Sequence, residues 1–362
     1  MSKILIVSTD WGHLSIARAV KETVQKKFDA ELYFIKAERL SKTLNDFIYR
    51  FFPRLFENLF KVSETAFSQK LLALFADQTY SDQLRLKMHA FKPDVVINTY
   101  WGFRPSLEKF KDRFGYRFVN ILADPWTFNK ILISGKAENL TFDKYSWRRA
   151  LSLSPGATVL PIGWFTEKKF FEIQGRTRES VRTELGLDPK RFTICVTGGS
   201  EGSFSTLKIL RTFLNPKNDM QVSIMCGNNT NMYKAAKMIK SVSKKINGPT
   251  IAAIPYTHDM QKYMRAADLV IGKAGPNTLF ESIATLTPFF AVSHFMGQED
   301  GNLGIIRRYK IGYVEEKASS ATKKLKEIIR NPKVLNKFSK NIEFLANYCQ
   351  GSEEKLLNLL KP

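Results

Sequence analysis

Residues 266–302, AADLVIGKAGPNTLFESIATLTPFFAVSHFMGQEDGN, hold the densest set of side chains able to do chemistry. An apolar run, LVIG, ends in Lys273, Ala274, Gly275, Pro276, Asn277 and Thr278, and Glu281 follows about one helical turn further on. A second apolar run, PFFAV, leads into a polar loop with Gln298, Glu299, Asp300 and Asn302. The pattern reads as strand, glycine turn, helix, strand and loop. In an open parallel sheet, ligands gather at the carboxyl ends of strands, and a helix N-terminus there favours phosphate. A carboxylate one turn inside such a helix does not welcome phosphate, but it accepts hydrogen bonds from a ribose diol. Together these features suggest a sugar-nucleotide site.

A second cluster opens the chain. An apolar strand from Ile4 to Ser8 is followed by Thr9, Asp10, Trp11, Gly12 and His13, and then by the helical LSIARAVKETVQKKF. A histidine after a glycine at the start of a helix is placed at a ligand-binding edge. Its imidazole titrates near neutral pH and suits a general base. The same residue can instead cap its helix. Asp124, at the end of the strand-like RFVNILAD and before Pro125, is an acid at a strand end and equally a starter of a turn. No Asp-x-Asp sequence occurs, and His89, His258 and His294 show no ligand spacing, so no metal site is expected.

Alternating strands and helices must position these groups. Strand-like AELYFIKA, DVVINTY and RFVNILAD alternate with helical stretches, and ATVLPIGWF leads out of this first half. RFTICVTGG, QVSIMC, TIAAIP, LVIG and PFFAV repeat the pattern, which is that of doubly wound α/β units. The 362 residues favour two domains. The expected boundaries are 1–155, 156–340 and a C-terminal helix over 341–362.

Taken in order, Asp259 and Met260, ADLVIGKAG, Thr278, Glu281 and Ser282, Pro288 and GQEDGN resemble the donor-binding region of glycosyltransferase family 28. That family includes the monogalactosyldiacylglycerol synthases, the processive diacylglycerol glucosyltransferases and the lipid II N-acetylglucosaminyltransferase. The resemblance implies the GT-B fold, two Rossmann-like domains facing across a cleft. It also implies a UDP-sugar as substrate, no cofactor, and metal-independent transfer with inversion. GHLSIARAV continues as the family does, which carries over Gly12 and His13, although Asp10 and Trp11 replace two glycines of the usual turn. Asp124 matches a family acid that serves as base, orients the histidine or binds the acceptor, and the choice between His13 and Asp124 as base stays open. The resemblance puts the amides and hydroxyl of Gly199 and Ser200 on the diphosphate, Gly227 beside the nucleobase and the main chain of Thr257 on uracil. It assigns Gln298 and Glu299 to the sugar hydroxyls, with Asn302 in support. Pro276 and Asn277 replace a Gly-Leu pair, a change that bears on donor preference.

A net charge of +22 requires a partner or a lysine-rich solvated surface, and both nucleic acid and an anionic membrane leaflet attract such a chain. Residues 44–75, LNDFIYRFFPRLFENLFKVSETAFSQKLLALF, favour the membrane. Phe47, Phe51, Leu55 and Leu59 recur at steps of four, with Phe52, Phe56 and Phe60 beside them and Arg50, Arg54, Lys61 and Lys70 interspersed. Such a stripe suits a segment lying among headgroups, or a buried core face, and Pro53 should kink it. FFPRLFENLF is also similar to an acceptor-side segment of the galactolipid synthases. No apolar run is long enough to span a membrane, and no signal peptide is expected at MSKILIVSTD. Cys195, Cys226 and Cys349 form no CxxC and read as buried free thiols. The expectation is a cytoplasmic glycosyltransferase, peripheral on the cytoplasmic membrane face, moving a hexose to a lipid such as diacylglycerol. Nucleic acid is not expected as a partner. The alternatives are N-acetylglucosamine transfer to a polyprenyl-linked acceptor and a GT-B-like UDP-N-acetylglucosamine 2-epimerase.

Overall fold

The computed structural model describes residues 2–10, 12–36, 65–198 and 206–361. Phe51, Phe52, Arg54, Phe56 and Phe60, together with Gly199, Ser200 and Trp11, lie outside the described residues. The chain divides into two compact units. The first contains Met1–Glu167, Phe295–Gly301 and Cys349–Pro362; the second contains Lys168–His294 and Asn302–Tyr348.

The first unit runs β1 (Lys3–Ser8), α1 (Gly12–Val24), β2 (Asp29–Phe34), α2 (Ala66–Phe91), β3 (Val95–Asn98), α3 (Arg104–Phe114), β4 (Arg117–Ile121), β5 (Glu138–Thr141), α4 (Lys144–Leu153) and β6 (Thr158–Pro161). Among the described residues its strands form one six-stranded sheet, ordered β2-β1-β3-β4-β5-β6, with every neighbouring pair parallel. β1 is buried on both faces from Ile4 to Ser8, the continuous apolar pattern that a sheet covered by helices requires. Leu5, Val96 and Phe118 lie in one row across three strands. They pack beneath Tyr80, Leu84 and Met88 of α2 and Leu107 and Phe110 of α3. Thr65 caps α2 by accepting from Ser68 N at 3.3 Å, and Asp143 and Ser146 form a reciprocal capping box on α4.

One buried polar row crosses this sheet. Asn98, Asn120 and Asn139 are in register on β3, β4 and β5. Asn98 Nδ2 donates to Asn120 Oδ1, and Asn120 Nδ2 donates to Asn139 Oδ1, each at 2.9 Å. Asn120 Nδ2 also donates to the Leu132 carbonyl, while Asn98 Oδ1 accepts from Tyr100 N. Buried amides are tolerated only when paired, so this ladder selects one register and fixes where β3 and β4 end.

The second unit contains α5 (Arg178–Glu184), β7 (Phe192–Thr197), β8 (Met220–Met225), α6 (Thr230–Lys245), β9 (Thr250–Ile254), α7 (Met260–Ala266), β10 (Leu269–Lys273), α8 (Pro276–Ala284), β11 (Phe289–Ser293), β12 (Gly312–Val314) and α10 (Ala318–Arg330); α9 (Asp300–Tyr309) precedes β12. α11 (Ser339–Gln350) and α12 (Ser352–Leu359) end the chain. The described strands make a second six-stranded parallel sheet, ordered β12-β11-β10-β7-β8-β9. Each unit is thus a parallel sheet flanked by helices, the Rossmann-like arrangement expected from the sequence. The three cysteines are buried free thiols, also as expected. In the first unit the strand order reverses between β1 and β3, and in the second between β7 and β10. These are the switch points at which open α/β sheets bind ligands.

Asn120→Ala should destabilise the first unit by roughly 2–4 kcal/mol, because it removes the acceptor of the buried Asn98 Nδ2 and the donors to Asn139 Oδ1 and the Leu132 carbonyl. Urea denaturation measures this, and a change below about 1 kcal/mol would show that the ladder does not hold the register.

Candidate active site

The switch point of the first sheet carries His13, the second residue of α1. Its Nδ1 lies 2.6 Å from the carbonyl oxygen of Thr99, just beyond β3. A carbonyl only accepts, so Nδ1 carries the proton, and the lone pair of the neutral ring sits on Nε2. Thr99 is held in turn: its N donates to Val7 O at 3.2 Å and its Oγ1 to Ser8 Oγ at 2.9 Å. Tyr100 meets the half-buried imidazole edge-on, ring centroids 5.1 Å apart. Enclosure by protein pushes the His13 pKa down to about 4, against a smaller upward pull from the Thr99 carbonyl. At neutral pH the ring is uncharged.

Asp124 follows β4 on the same carboxyl edge, two strand positions from β1, or about 10 Å at the usual strand spacing. It makes no hydrogen bond to His13. Its Oδ1 instead lies 3.5 Å from the donating Nε2 of Gln298. Burial pushes the carboxyl up to about 7; the Gln298 hydrogen bond lowers it, and the nearby Glu299 charge raises it. Gln298 and Glu299, expected at the donor sugar, thus belong to the stretch Phe295–Gly301 that clusters with the first unit. Glu299 Oε2 accepts from Phe295 N at 2.7 Å, closing that loop on itself. Gly301 N donates to Thr127 Oγ1 at 2.6 Å, and a Cβ at Gly301 would lie 2.6 Å from both Thr127 Oγ1 and Trp126 Cβ. Only glycine permits that approach.

The second sheet gathers the remaining expected residues at its own carboxyl edge. Gly275 caps α8 with extended backbone, Pro276 begins the helix, and Asn277 and Thr278 fill its first turn. A helix N-terminus at the carboxyl edge of the sheet suits an anion. Glu281 lies one turn further along the same helix. Asn302 Nδ2 donates to the Ala274 carbonyl at 2.7 Å and is 2% exposed, so it braces the turn. Gly272 is forced by packing, since a Cβ there would stand 2.6 Å from Thr197 O of β7. Gly227, after β8, adopts φ 56°, the left-handed region that glycine favours. Thr257, beyond β9, accepts from Asp259 N through Oγ1 at 3.1 Å. Sequence reasoning missed the pair His294 Nδ1 and Glu316 Oε1, 2.6 Å apart beyond β11 and β12. It also missed Thr99, whose contribution to His13 is a backbone oxygen and so has no signature in residue type. Among the described residues, no group of three or more His, Cys, Asp or Glu is arranged to hold a metal ion.

Two six-stranded parallel sheets, each flanked by helices, are the arrangement of the GT-B fold. Residues 193–295 match the glycosyltransferase family 28 C-terminal domain. The chain is 30% identical to monogalactosyldiacylglycerol synthase 2 of Arabidopsis thaliana over 90% of its own length and 72% of that protein. It is 25% identical to the UDP-N-acetylglucosamine–N-acetylmuramyl-(pentapeptide) pyrophosphoryl-undecaprenol N-acetylglucosamine transferase of Thermoanaerobacter sp., covering 97% and 96% of the two chains. Among solved structures, UDP-GlcNAc 2-epimerase from Neisseria meningitidis shares the fold, with a TM-score of 0.63 at 14% identity over 99% of this chain and 100% of that one. The chain belongs to glycosyltransferase family 28 and is a glycosyltransferase.

The raised Asp124 pKa has a stability consequence. The unfolded carboxyl titrates near 3.8 and the folded one near 7, so its contribution is complete below about pH 4 and is lost as pH rises through 7. Asp124→Asn cannot ionise and should gain on the order of 2–3 kcal/mol relative to wild type between pH 5 and pH 8. Urea titrations at several pH values read this directly. A difference that stays constant across the range would contradict the assignment.

Proposed function

We propose that the protein transfers a hexose from a UDP-sugar to a hydroxyl of a membrane lipid such as diacylglycerol, with inversion at the anomeric carbon and with His13 as the base. The observation that carries this reading is the His13 Nδ1 to Thr99 hydrogen bond, which leaves Nε2 of a neutral imidazole as the proton acceptor. In the step itself, Nε2 takes the acceptor hydroxyl proton, the oxygen bonds to the anomeric carbon, and the bond from that carbon to the diphosphate breaks. The departing charge meets the first turn of α8, while Glu281 accepts from the ribose diol. In this reading Asp124, which burial holds close to its titration point at neutral pH, hydrogen-bonds the acceptor.

The lipid side of the proposal rests on three supports. One is the named activity of the galactolipid synthase relative. Another is the excess of positive charge, +22, which suits an anionic leaflet. The third is the start of α2, where Phe67, Leu71, Leu74 and Phe75 are exposed along one face, Phe67 by 78%, with Lys70 among them. Such a face, continuous in sequence with the Phe-rich residues 44–64, suits a peripheral protein on the cytoplasmic side of a membrane. No helix among the described residues is long and apolar enough to cross one. A second reading, N-acetylglucosamine transfer to a polyprenyl-linked acceptor, is favoured by the near full-length similarity to the Thermoanaerobacter transferase.

The test incubates the protein with anionic liposomes containing diacylglycerol and a panel of UDP-sugars and measures UDP release. Release that needs both lipid and sugar is the expected result. Turnover only with UDP-N-acetylglucosamine and a polyprenyl-linked acceptor would transfer the case to the second reading, and no turnover with either acceptor would reject both. His13→Ala should lower kcat at least about a hundredfold while UDP affinity stays nearly unchanged. Glu281→Ala should instead weaken UDP binding about tenfold, the loss of a charge-assisted hydrogen bond.

A further inference from the structure

The amino-terminal edge of the second sheet, opposite its donor residues, holds a cavity of about 400 Å³. It lies one strand length from the α8 turn, about 15 Å for a strand such as β10. Its charged lining is Arg178, Arg182, Lys190 and Lys333 against one carboxylate, Asp268. That carboxylate is already engaged, because Asp268 Oδ2 accepts from Arg182 Nη2 at 2.7 Å and from Thr193 N at 2.8 Å.

The neighbouring guanidinium groups rest on neutral acceptors. Arg178 donates to the carbonyls of Arg265, Ala267 and Leu286 and to Thr287 Oγ1. Behind it, Arg265 donates to the carbonyls of Arg176, Gln174 and Thr285. Carbonyls satisfy hydrogen bonds without cancelling charge, so positive potential accumulates at the cavity wall. Consistent with this, burial draws the Arg178 pKa down to about 10, with the Arg265 and Arg182 charges adding to the fall and Asp268 opposing it. Among the acids nearest in sequence, Glu184 pairs with Arg176 and Lys262, and Asp188 and Asp219 face Arg191. The exposed Glu179, next to Arg178 in the chain, offsets part of the Arg178 and Arg182 charge. Lys190 and Lys333 form no ion pair with any described residue.

We propose that this cavity is a second anion site, taking a phosphate monoester either as a soluble metabolite or as a lipid headgroup. Four cations against one acid call for a multiply charged ligand, and the volume falls within the range of small-molecule sites, larger than bare phosphate needs. The two arginines form its fixed back wall, and the two lysines, both exposed, close on the ligand from the chain segments before β7 and within Pro332–Phe338.

Calorimetric titration of the full chain with inorganic phosphate, glycerol 3-phosphate and anionic phospholipid vesicles tests the site. UDP is kept in large excess so that a diphosphate site elsewhere is filled. The comparison protein is Lys190→Met with Lys333→Met, which alters exposed side chains and leaves the packed arginines in place. Saturable binding by wild type that weakens at least tenfold in the double variant, with UDP affinity equal in both, is the expected result. Response to glycerol 3-phosphate alone identifies a soluble ligand, whereas response to vesicles that glycerol 3-phosphate competes away identifies a headgroup. No saturable binding of any probe, or equal binding by both proteins, overturns the proposal. Absence of UDP binding in both proteins would count against the donor reading alone, since the lysine-dependent difference is measured independently.

Discussion

The hydrogen bond from His13 Nδ1 to the carbonyl of Thr99 is the interaction on which the catalytic reading depends. It joins the residues just beyond β1 and β3, the two strands between which the first sheet reverses its order. It also fixes the tautomer, so the side of the ring away from Thr99 bears the lone pair. The bond would fail if β3 slipped by one residue, since the slip carries the Thr99 carbonyl about 3.3 Å along β1 and away from the ring. The buried ladder of Asn98, Asn120 and Asn139 prevents that slip, and through Tyr100 N it also sets the turn after β3. Stability and chemistry in this unit therefore share one set of buried amides.

The two sheets solve a common problem with different materials. In the first, the reactive edge is built from titratable side chains, His13 lowered and Asp124 raised by enclosure, so their protonation states are driven toward neutrality. In the second, the reactive edge is mostly backbone: the first turn of α8, the left-handed Gly227 and the close-packed Gly272. Amides keep their polarity at every pH, which fits a site meant to hold a charged nucleotide. The same sheet keeps its guanidinium groups at the far edge, where Arg178, Arg182 and Arg265 bond the carbonyls around the starts of β10 and β11.

Much of this was legible in the sequence, and the gaps have physical causes. Apolar strands such as LVIG and PFFAV announced themselves because a parallel sheet buries both faces. β5, ENLT, did not: it is polar in composition, and its Asn139 is buried because the ladder pairs it. β12 has only three residues, too few for periodicity to register. α2 begins at Ala66, so its first turns, with their exposed apolar residues, fall inside the stretch that reads in the sequence as the Phe-rich segment. The glycine turn before α8, the place of Glu281 one turn into that helix and the place of His13 at the start of α1 were legible because local spacing encodes them. The contacts of His13 with Thr99 and of Gln298 with Asp124 join residues 86 and 174 positions apart, and no local pattern records such distances.

The most direct measurement of the central claim is the pH dependence of kcat/KM for wild type and for Asp124→Asn. If neutral His13 is the base, the acid limb falls near its lowered pKa of about 4 and survives in Asp124→Asn. If Asp124 takes the proton instead, the acid limb lies near 7 and disappears with the substitution, and His13 would not be the base.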